Sequence, residues 1–225
     1  MGRAQFLGHS CVSLSDGRHR LLVDPYLTGN PLATVKADEV EADYILVTHG
    51  HGDHVGDAIA IARRTGATII ATFELATLCQ GEGAAVHPMH IGGAHEFPFG
   101  RVKLTIAHHG GGHGADASRY TGPPVGFLIT LDGKTVYHAG DTGLFYDMKL
   151  IGEMSRIELA FLPIGDNFTM GISDAVRAVE FLQPRRVVPM HYDTFPVVSA
   201  DPQQFVAQVQ GAEVVVLAPG ETLEF

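Results

Sequence analysis

The chain is expected to fold as a mixed α/β or α+β domain, and three stretches of its 225 residues carry that expectation. An apolar β-rich run at 44–47, an amphipathic helical pattern and a second apolar run at 68–71 give a β-α-β rhythm. Residues 84–138 hold several short β-rich runs, two of them joined by Asp132-Gly133, a strong hairpin signal. The last third alternates strand-like and helix-like segments once more.

Taken in order, strands are expected at 4–7, 11–14 and 20–23, with a turn at Asp16-Gly17. Asp24-Pro25 ends the third strand and opens a loop through Gly29-Asn30-Pro31. After the strand at 44–47, Val55, Ala58, Ile59 and Ala62 recur at i, i+3, i+4 and i+7, which predicts a helix over 55–65 ending before Gly66. The strand at 68–71 precedes a helix at 74–80, closed by Gly81 and Gly83. Strands follow at 84–87, 96–97, 101–107, 126–131 and 134–138, then a helix near 145–154 and a strand at 159–162. A helix at 174–182 takes Ser173 or Asp174 as its cap and stops before Pro184; one at 202–209 takes Asp201. Strands at 186–189 and 214–217 flank the second of these helices. No linker, low-complexity tract or repeat divides the chain, so one domain is expected over 1–225.

Composition narrows the class. At 45% hydrophobic and 18% charged, the chain has the makeup of a soluble globular protein and is long enough to bury a full core. A formal charge of −10 argues against nucleic acid as a partner, and part of that charge is carboxylate that divalent cations would offset. Arg63-Arg64 and Arg185-Arg186 read as solvated flanks rather than a binding patch. Cys11 and Cys79 form no disulfide framework, and neither a signal-peptide pattern nor a membrane-length apolar run is present. A cytoplasmic protein without a membrane partner is expected; oligomeric state is left open.

The densest chemistry lies in Thr48-His49-Gly50-His51-Gly52-Asp53-His54, between the strand at 44–47 and the following helix. Three imidazoles and a carboxylate in one short loop suit a divalent first-row metal, and the two glycines let the backbone turn tightly. A merely polar, histidine-rich loop is the plainer alternative. His49 and His51, two apart, point to one side of an extended backbone.

This H-x-H-x-D-H pattern resembles the metallo-β-lactamase superfamily. The resemblance extends to His108-His109 after an apolar strand, Ala139-Gly140-Asp141-Thr142-Gly143, and Pro189-Met190-His191. Within the superfamily, Gly8-His9-Ser10, Asp24-Pro25, Pro163-Ile164-Gly165 and Met190-His191-Tyr192 resemble a branch of small metal-dependent hydrolases related to the ascorbate-6-phosphate lactonases.

The resemblance implies an αββα sandwich, with two mixed sheets face to face and helices outside. It implies two divalent ions, zinc first with manganese or iron as alternatives. His49, His51 and His109 would hold one ion, Asp53, His54 and His191 the other, and Asp141 would bridge them. Asp53 and Asp141 are the implied catalytic carboxylates, and Asp53 would be helped to stay ionised by the helix it begins. His108 and His109 point to opposite sides of a strand and His113 follows in a glycine-rich loop, so the third histidine rests on strand-end alignment. Each ligating imidazole needs an acceptor for its other N–H, and the sequence does not say which residues provide it.

The remaining histidines have two readings each. His9 is either a substrate contact near the metals or a structural residue at a turn, and His113 is placed at the site mouth. His138 is read as orienting or packed, His19 as exposed, and His87, His90 and His95 as a cluster unrelated to catalysis. Asp166-Asn167 follows a strand end and either lines the pocket or starts a turn. The expected activity is metal-dependent hydrolysis of a small ester, lactone or phosphoester by a metal-bridging hydroxide. A non-catalytic metal-dependent binding or sensor protein and a mononuclear iron oxygenase are the rival readings.

Overall fold

Two seven-stranded mixed sheets lie face to face in the computed structural model, which describes residues 1–225. The first half of the chain supplies β1 (Arg3–Gly8), β2 (Cys11–Ser15), β3 (Arg20–Val23), β4 (Tyr44–Leu46), α1 (Gly52–Val55), α2 (Ala58–Thr65), β5 (Thr68–Thr72), α3 (Phe73–Gly81) and β6 (Ala85–Met89). Then come β7 (Ala94–Phe97), β8 (Gly100–Ile106), the small pair β9 (Gly112–His113) and β10 (Arg119–Tyr120), β11 (Val125–Leu131) and β12 (Lys134–His138). The rest is α4 (Met148–Met154), β13 (Ile157–Pro163), α5 (Ile172–Leu182), β14 (Arg186–Met190), α6 (Pro202–Gln208), β15 (Glu213–Val214) and β16 (Thr222–Glu224).

Strand order is β16-β1-β2-β3-β4-β5-β6 in one sheet and β15-β14-β13-β12-β11-β8-β7 in the other. Each sheet is antiparallel on one side and parallel on the other, the change falling at β3 and at β12. Period-two alternation sorts the side chains. On β11, Phe127, Ile129 and Leu131 enter the core between the sheets, where they meet Phe6, Leu14 and Leu21, whereas Leu128 faces the helices. Helices α2 and α3 cover the first sheet through Ile61, Leu75 and Leu78; α4, α5 and α6 cover the second through Met148, Val179 and Phe205. Each of these large apolar side chains contributes about 1.5–3 kcal/mol on burial. The αββα sandwich is therefore observed.

Several local expectations change. The helix anticipated over 55–65 is two pieces, because Gly56 turns to φ 40° and brings the chain against Pro25, where a Cβ would lie 2.5 Å from the carbonyl oxygen. Asp57 at this break accepts hydrogen bonds from Leu27 and Thr28 N–H and anchors the preceding loop. Asp53 thus sits on the single turn α1, not at the head of a long helix, and the dipole support expected from such a helix is absent. Helix α5 starts at Ile172, before either anticipated cap, with Gly171 at its N-cap; Asp201 does cap α6, accepting from Gln203 N–H. The strand expected at 101–107 ends at Ile106, and the last expected strand shrinks to Glu213–Val214 while β16 forms beyond it against β1.

Candidate metal centre

One edge of the sandwich collects the loops that follow β1, β3, β4, β8, β12, β13 and β14. The loop after β4 brings His49 and His51 and leads into α1, which brings Asp53 and His54; the loops after β8, β12 and β14 bring His109, Asp141 and His191. Three overlapping donor sets result, each with all its donor atoms within 4.8 Å of one another: His49/His51/His109, His49/His54/Asp141 and His9/Asp53/His54/His191. His51 Nδ1 is 3.0 Å from His49 Nε2 and 3.3 Å from His109 Nε2. Asp141 Oδ2 is 3.1 Å from His191 Nε2, 3.2 Å from His54 Nε2 and 3.5 Å from His109 Nε2. One carboxylate oxygen therefore faces imidazoles from both ends of the cluster.

The backbone is bent to make this possible. His9, Asp24 and His191 all take φ between 45° and 58°, a region that His and Asp enter more readily than most residues. Gly140 takes φ 61° just before Asp141, where an added Cβ would lie 2.8 Å from Val125 O, so no larger residue turns the chain there.

Asp24 is the organising group that the sequence left unassigned. Its carboxylate accepts from His54 Nδ1 at 2.8 Å, from the Thr48 hydroxyl at 2.7 Å and from Thr48 N–H at 2.8 Å. With its proton committed to Asp24, the Thr48 hydroxyl is the acceptor for His49 Nδ1 at 3.0 Å. A single buried carboxylate so fixes the ring orientation of His54 directly and of His49 through Thr48, leaving both Nε2 atoms turned inward. Both stand in motifs noted in the sequence, Asp24-Pro25 and the stretch beginning at Thr48, but nothing there gave either a role.

Protonation follows from burial and from these carboxylates. Burial pushes His49 well below the usual imidazole range, helped by the nearby His54 charge, and also lowers His51 and His109. Burial takes His9 down to about 4 and lowers His138 as well. Neutral rings have a lone pair to offer a cation. His54 goes the other way: burial opposes its charge, but Asp141 and Asp24 on either side outweigh that and raise it well above the ordinary value. Burial alone would raise Asp53 and Asp141; the His9 hydrogen bond lowers the first, and the charges of His54 and His191 lower the second.

Three buried polar atoms in the cluster make no hydrogen bond: His54 Nε2, Asp141 Oδ1 and His191 Nδ1. His54 Nε2 lies near Asp141 without the geometry of a bond. Buried donors and acceptors left unpaired cost about 1–3 kcal/mol each; a cation that displaced the proton Asp24 and Asp141 favour on His54 would remove that cost at His54 and Asp141. The donor set, rich in nitrogen and oxygen and free of thiols, fits divalent first-row ions.

Other anticipated positions fall outside the donor sets. His108 and His109 both follow β8; His109 enters the cluster, and His108 is exposed and stacks on Phe145. His113, on β9, contacts the Gly50 carbonyl through Nδ1 at 2.8 Å and clasps the His49–His51 loop from outside. Asp166 and Asn167 are exposed left-handed turn residues; Asp166 Oδ1 accepts from Asn167 N–H, and neither bonds to the cluster. His138 donates from Nε2 to Ser10 O and accepts Gly140 N–H, tying the β1–β2 turn to the Asp141 loop. His19 is half-buried rather than exposed, with Asp16 as its partner. The β9–β10 pair was not anticipated, since Gly110–Gly114 reads as a glycine-rich loop.

Fold and donor sets together define a metal-dependent hydrolase of the metallo-β-lactamase kind, and residues 19–192 match the sequence profile of the Beta-lactamase superfamily domain. The chain belongs to that superfamily and, within it, to the UPF0173 metal-dependent hydrolases. It is 53% identical to one such hydrolase of Bacillus licheniformis over 99% of both chains. It is 53% identical to another from Geobacillus, again over 99% of each. Among solved structures it resembles Igni18, a metallo hydrolase of the hyperthermophilic archaeon Ignicoccus hospitalis, at 38% identity and a TM-score of 0.91, covering 100% of this chain and 99% of that one. No helix is long and apolar enough to cross a membrane.

Proposed function

We propose that the protein hydrolyses a small ester, lactone or phosphoester with two divalent ions, and that its partner is this small molecule. The observation that carries the reading is Asp141 Oδ2, which lies 3.1–3.5 Å from His191, His54 and His109 and so faces both donor sets at once. His49, His51 and His109 would hold one ion, Asp53, His54 and His191 the second, and Asp141 would contact both. Zinc and iron suit imidazole-rich ligands, and manganese can occupy the same set where carboxylates contribute. When bound, such ions lower the pKa of water toward neutrality and stabilise charge developing on an attacked carbonyl or phosphoryl oxygen.

The chain's own residues do the rest. Asp24 and Thr48 engage Nδ1 of His54 and His49, so that Nε2 of each faces the donor sets; on His54 an ion would take the place of the proton that the flanking carboxylates favour. Asp24, His49, His54, Asp141 and His191 are buried, so the inner wall is dry, while Asp53, His51 and His109 are partly exposed and give the substrate its approach. Dry, fixed dipoles act on a reacting group more strongly than solvent-exposed ones. The buried, unpaired Cys11 and Cys79 suit a reducing, cytoplasmic setting.

Elemental analysis of the fully metallated protein, with turnover assays on panels of esters, lactones and phosphoesters, tests the reading. Two ions per chain and turnover in one panel are expected. One ion or none overturns the binuclear centre; two ions with no turnover in any panel overturns the hydrolysis.

A further inference from the structure

Behind Asp53 lies a buried chain of side chains that none of the roles above uses. His9 follows β1 and is completely buried, so no substrate reaches it. Its Nδ1 is 2.8 Å from Thr194 Oγ1, and its Nε2 is 3.3 Å from Asp53 Oδ2. The His9 carbonyl accepts a 2.8 Å hydrogen bond from His191 N–H, and the two rings pack with centroids 4.1 Å apart. Three loops are thereby joined: the turn after β1, the single helical turn α1, and the loop after β14 that carries both His191 and Thr194.

The direction of the hydrogen bonds follows from Asp53, whose carboxylate can only accept and so calls for the ring proton on Nε2. A neutral imidazole carries one N–H, on one nitrogen or the other. The other acceptor within reach of the Thr194 hydroxyl, Tyr192 O, is 3.4 Å away, at the limit of a hydrogen bond, whereas His9 Nδ1 is at 2.8 Å. The hydroxyl donates to Nδ1, and the ring proton sits on Nε2, facing Asp53. No other hydrogen bond reaches the Asp53 carboxylate, which is 30% exposed and stands on a four-residue helix. Left alone, it would be free to rotate toward water.

We infer that His9 is a positioning residue, held by Thr194, whose Nε2–H fixes the Asp53 carboxylate so that its remaining lone pairs face the donor set shared with His54 and His191. This rests on the reading of Asp53 as a ligand of the second ion. A carboxylate oxygen accepts more than one bond, so the His9 N–H and a cation share it without conflict. The competing arrangement has His9 itself on the ion, since its donor atom lies within 4.8 Å of those of Asp53, His54 and His191.

The test is cobalt(II) binding to the whole protein, read as stoichiometry, as two dissociation constants by chelator competition, and as the visible absorption of each ion. His9→Ala is expected to weaken the second ion by at least about 10-fold, the cost typical of losing a partner of a metal ligand, and to leave the first unchanged. His9→Gln, whose amide N–H can stand where the ring Nε2–H stands but which ligates metals poorly, should return close to wild-type affinity and spectrum. Thr194→Val keeps the ring and removes its tautomer-setting donor, so it should weaken the second ion by a smaller factor; it also serves if His9→Ala does not fold. Unchanged second-site affinity in folded His9→Ala, or in Thr194→Val if the alanine variant is lost, overturns the inference. His9→Gln as weak as His9→Ala overturns it too, by making His9 a ligand. A wild type that binds one ion removes the binuclear reading itself; a wild type that binds two with indifferent variants removes only the role of His9.

Discussion

Two groups of histidines in this molecule look alike as a list of residues and differ in almost every physical respect. At the candidate metal centre, buried and half-buried rings from four strand-end segments surround Asp24, Asp53 and Asp141, and some of their polar atoms have no partner. At the edge of the sandwich, His87 on β6 and His95 on β7 pack with tilted rings across the seam between the sheets, centroids 4.2 Å apart, each 4.7–4.9 Å from Phe97. No carboxylate pairs with either ring; His90 alone has one near, Glu74 at 4.0 Å. The first group is unsatisfied without a cation, and the second is satisfied as aromatic packing. Carboxylates, burial and outer partners separate them, not the number of histidines.

The largest test of that contrast is Asp141→Asn. Asparagine keeps the shape but loses the charge that faces three imidazoles, and it is a poor bridge between cations. Turnover of whichever substrate the panels identify should fall at least about 100-fold, the order seen when electrostatic positioning is lost, with circular dichroism unchanged. Undiminished turnover in a folded variant would remove the bridging role.

Asp24 ranks next. Asp24→Ala leaves His54 Nδ1 and Thr48 without their shared acceptor, and breaking such a buried ionic contact costs about 3–5 kcal/mol. A clear drop in Tm is expected, and in Asp24→Asn, which keeps the volume, metal affinity should fall about 10–100-fold. Equal affinities for Asp24→Asn and wild type would show that the Asp24 contacts do not orient the ligands.

How far the sequence could be read depends on how far apart the cooperating residues are. Spacing within residues 48–54 exposes four donors because they share one loop, and strand-end motifs expose His109, Asp141 and His191. Asp24 and His54 are 30 residues apart and His9 and Thr194 are 185 apart; such pairs meet only once β3, α1 and the turns after β1 and β14 are assembled. The helix break at Gly56 is equally non-local, since it is the approach of Pro25 that demands it. Helical periodicity ran smoothly through that point because Val55 and Ala58 are both buried. Except at the last expected strand, which shrinks to Glu213–Val214, the β-rich runs were legible to within a residue or two, whereas β9, β10 and β16 are two or three residues long and carry too little pattern to see.

A narrower prediction separates the three histidines around the end of β8. His109→Ala should reduce bound metal from two ions to one, because its Nε2 faces both His51 and Asp141. His108→Ala removes a ring that stacks on Phe145, and His113→Ala one that touches Gly50 O, so both should retain two ions. Elemental analysis of the three variants decides it; a His109→Ala protein with two tight ions would show that a neighbouring ring takes its place.

The smallest expected effect belongs to the seam. Partial burial holds His87 below its ordinary pKa of 6.5, and the neighbouring His95 adds to this. A group whose folded pKa is lowered binds fewer protons in the folded than in the unfolded chain, so stability rises with pH between the folded value and 6.5. The contribution of His87 is therefore whole above 6.5 and declines as pH falls from there toward the folded value. His87→Phe keeps an aromatic ring against Phe97 and His95 and removes the titration. Metal content should stay at two ions, and the Tm of the variant should fall less than that of the wild type as pH is lowered from about 7 to about 5. Because the metal ligands titrate in both proteins, only the difference between the two curves reports the seam. Parallel Tm-versus-pH curves would mean that the seam does not lower His87, and loss of an ion in His87→Phe would mean that the two histidine groups are not independent.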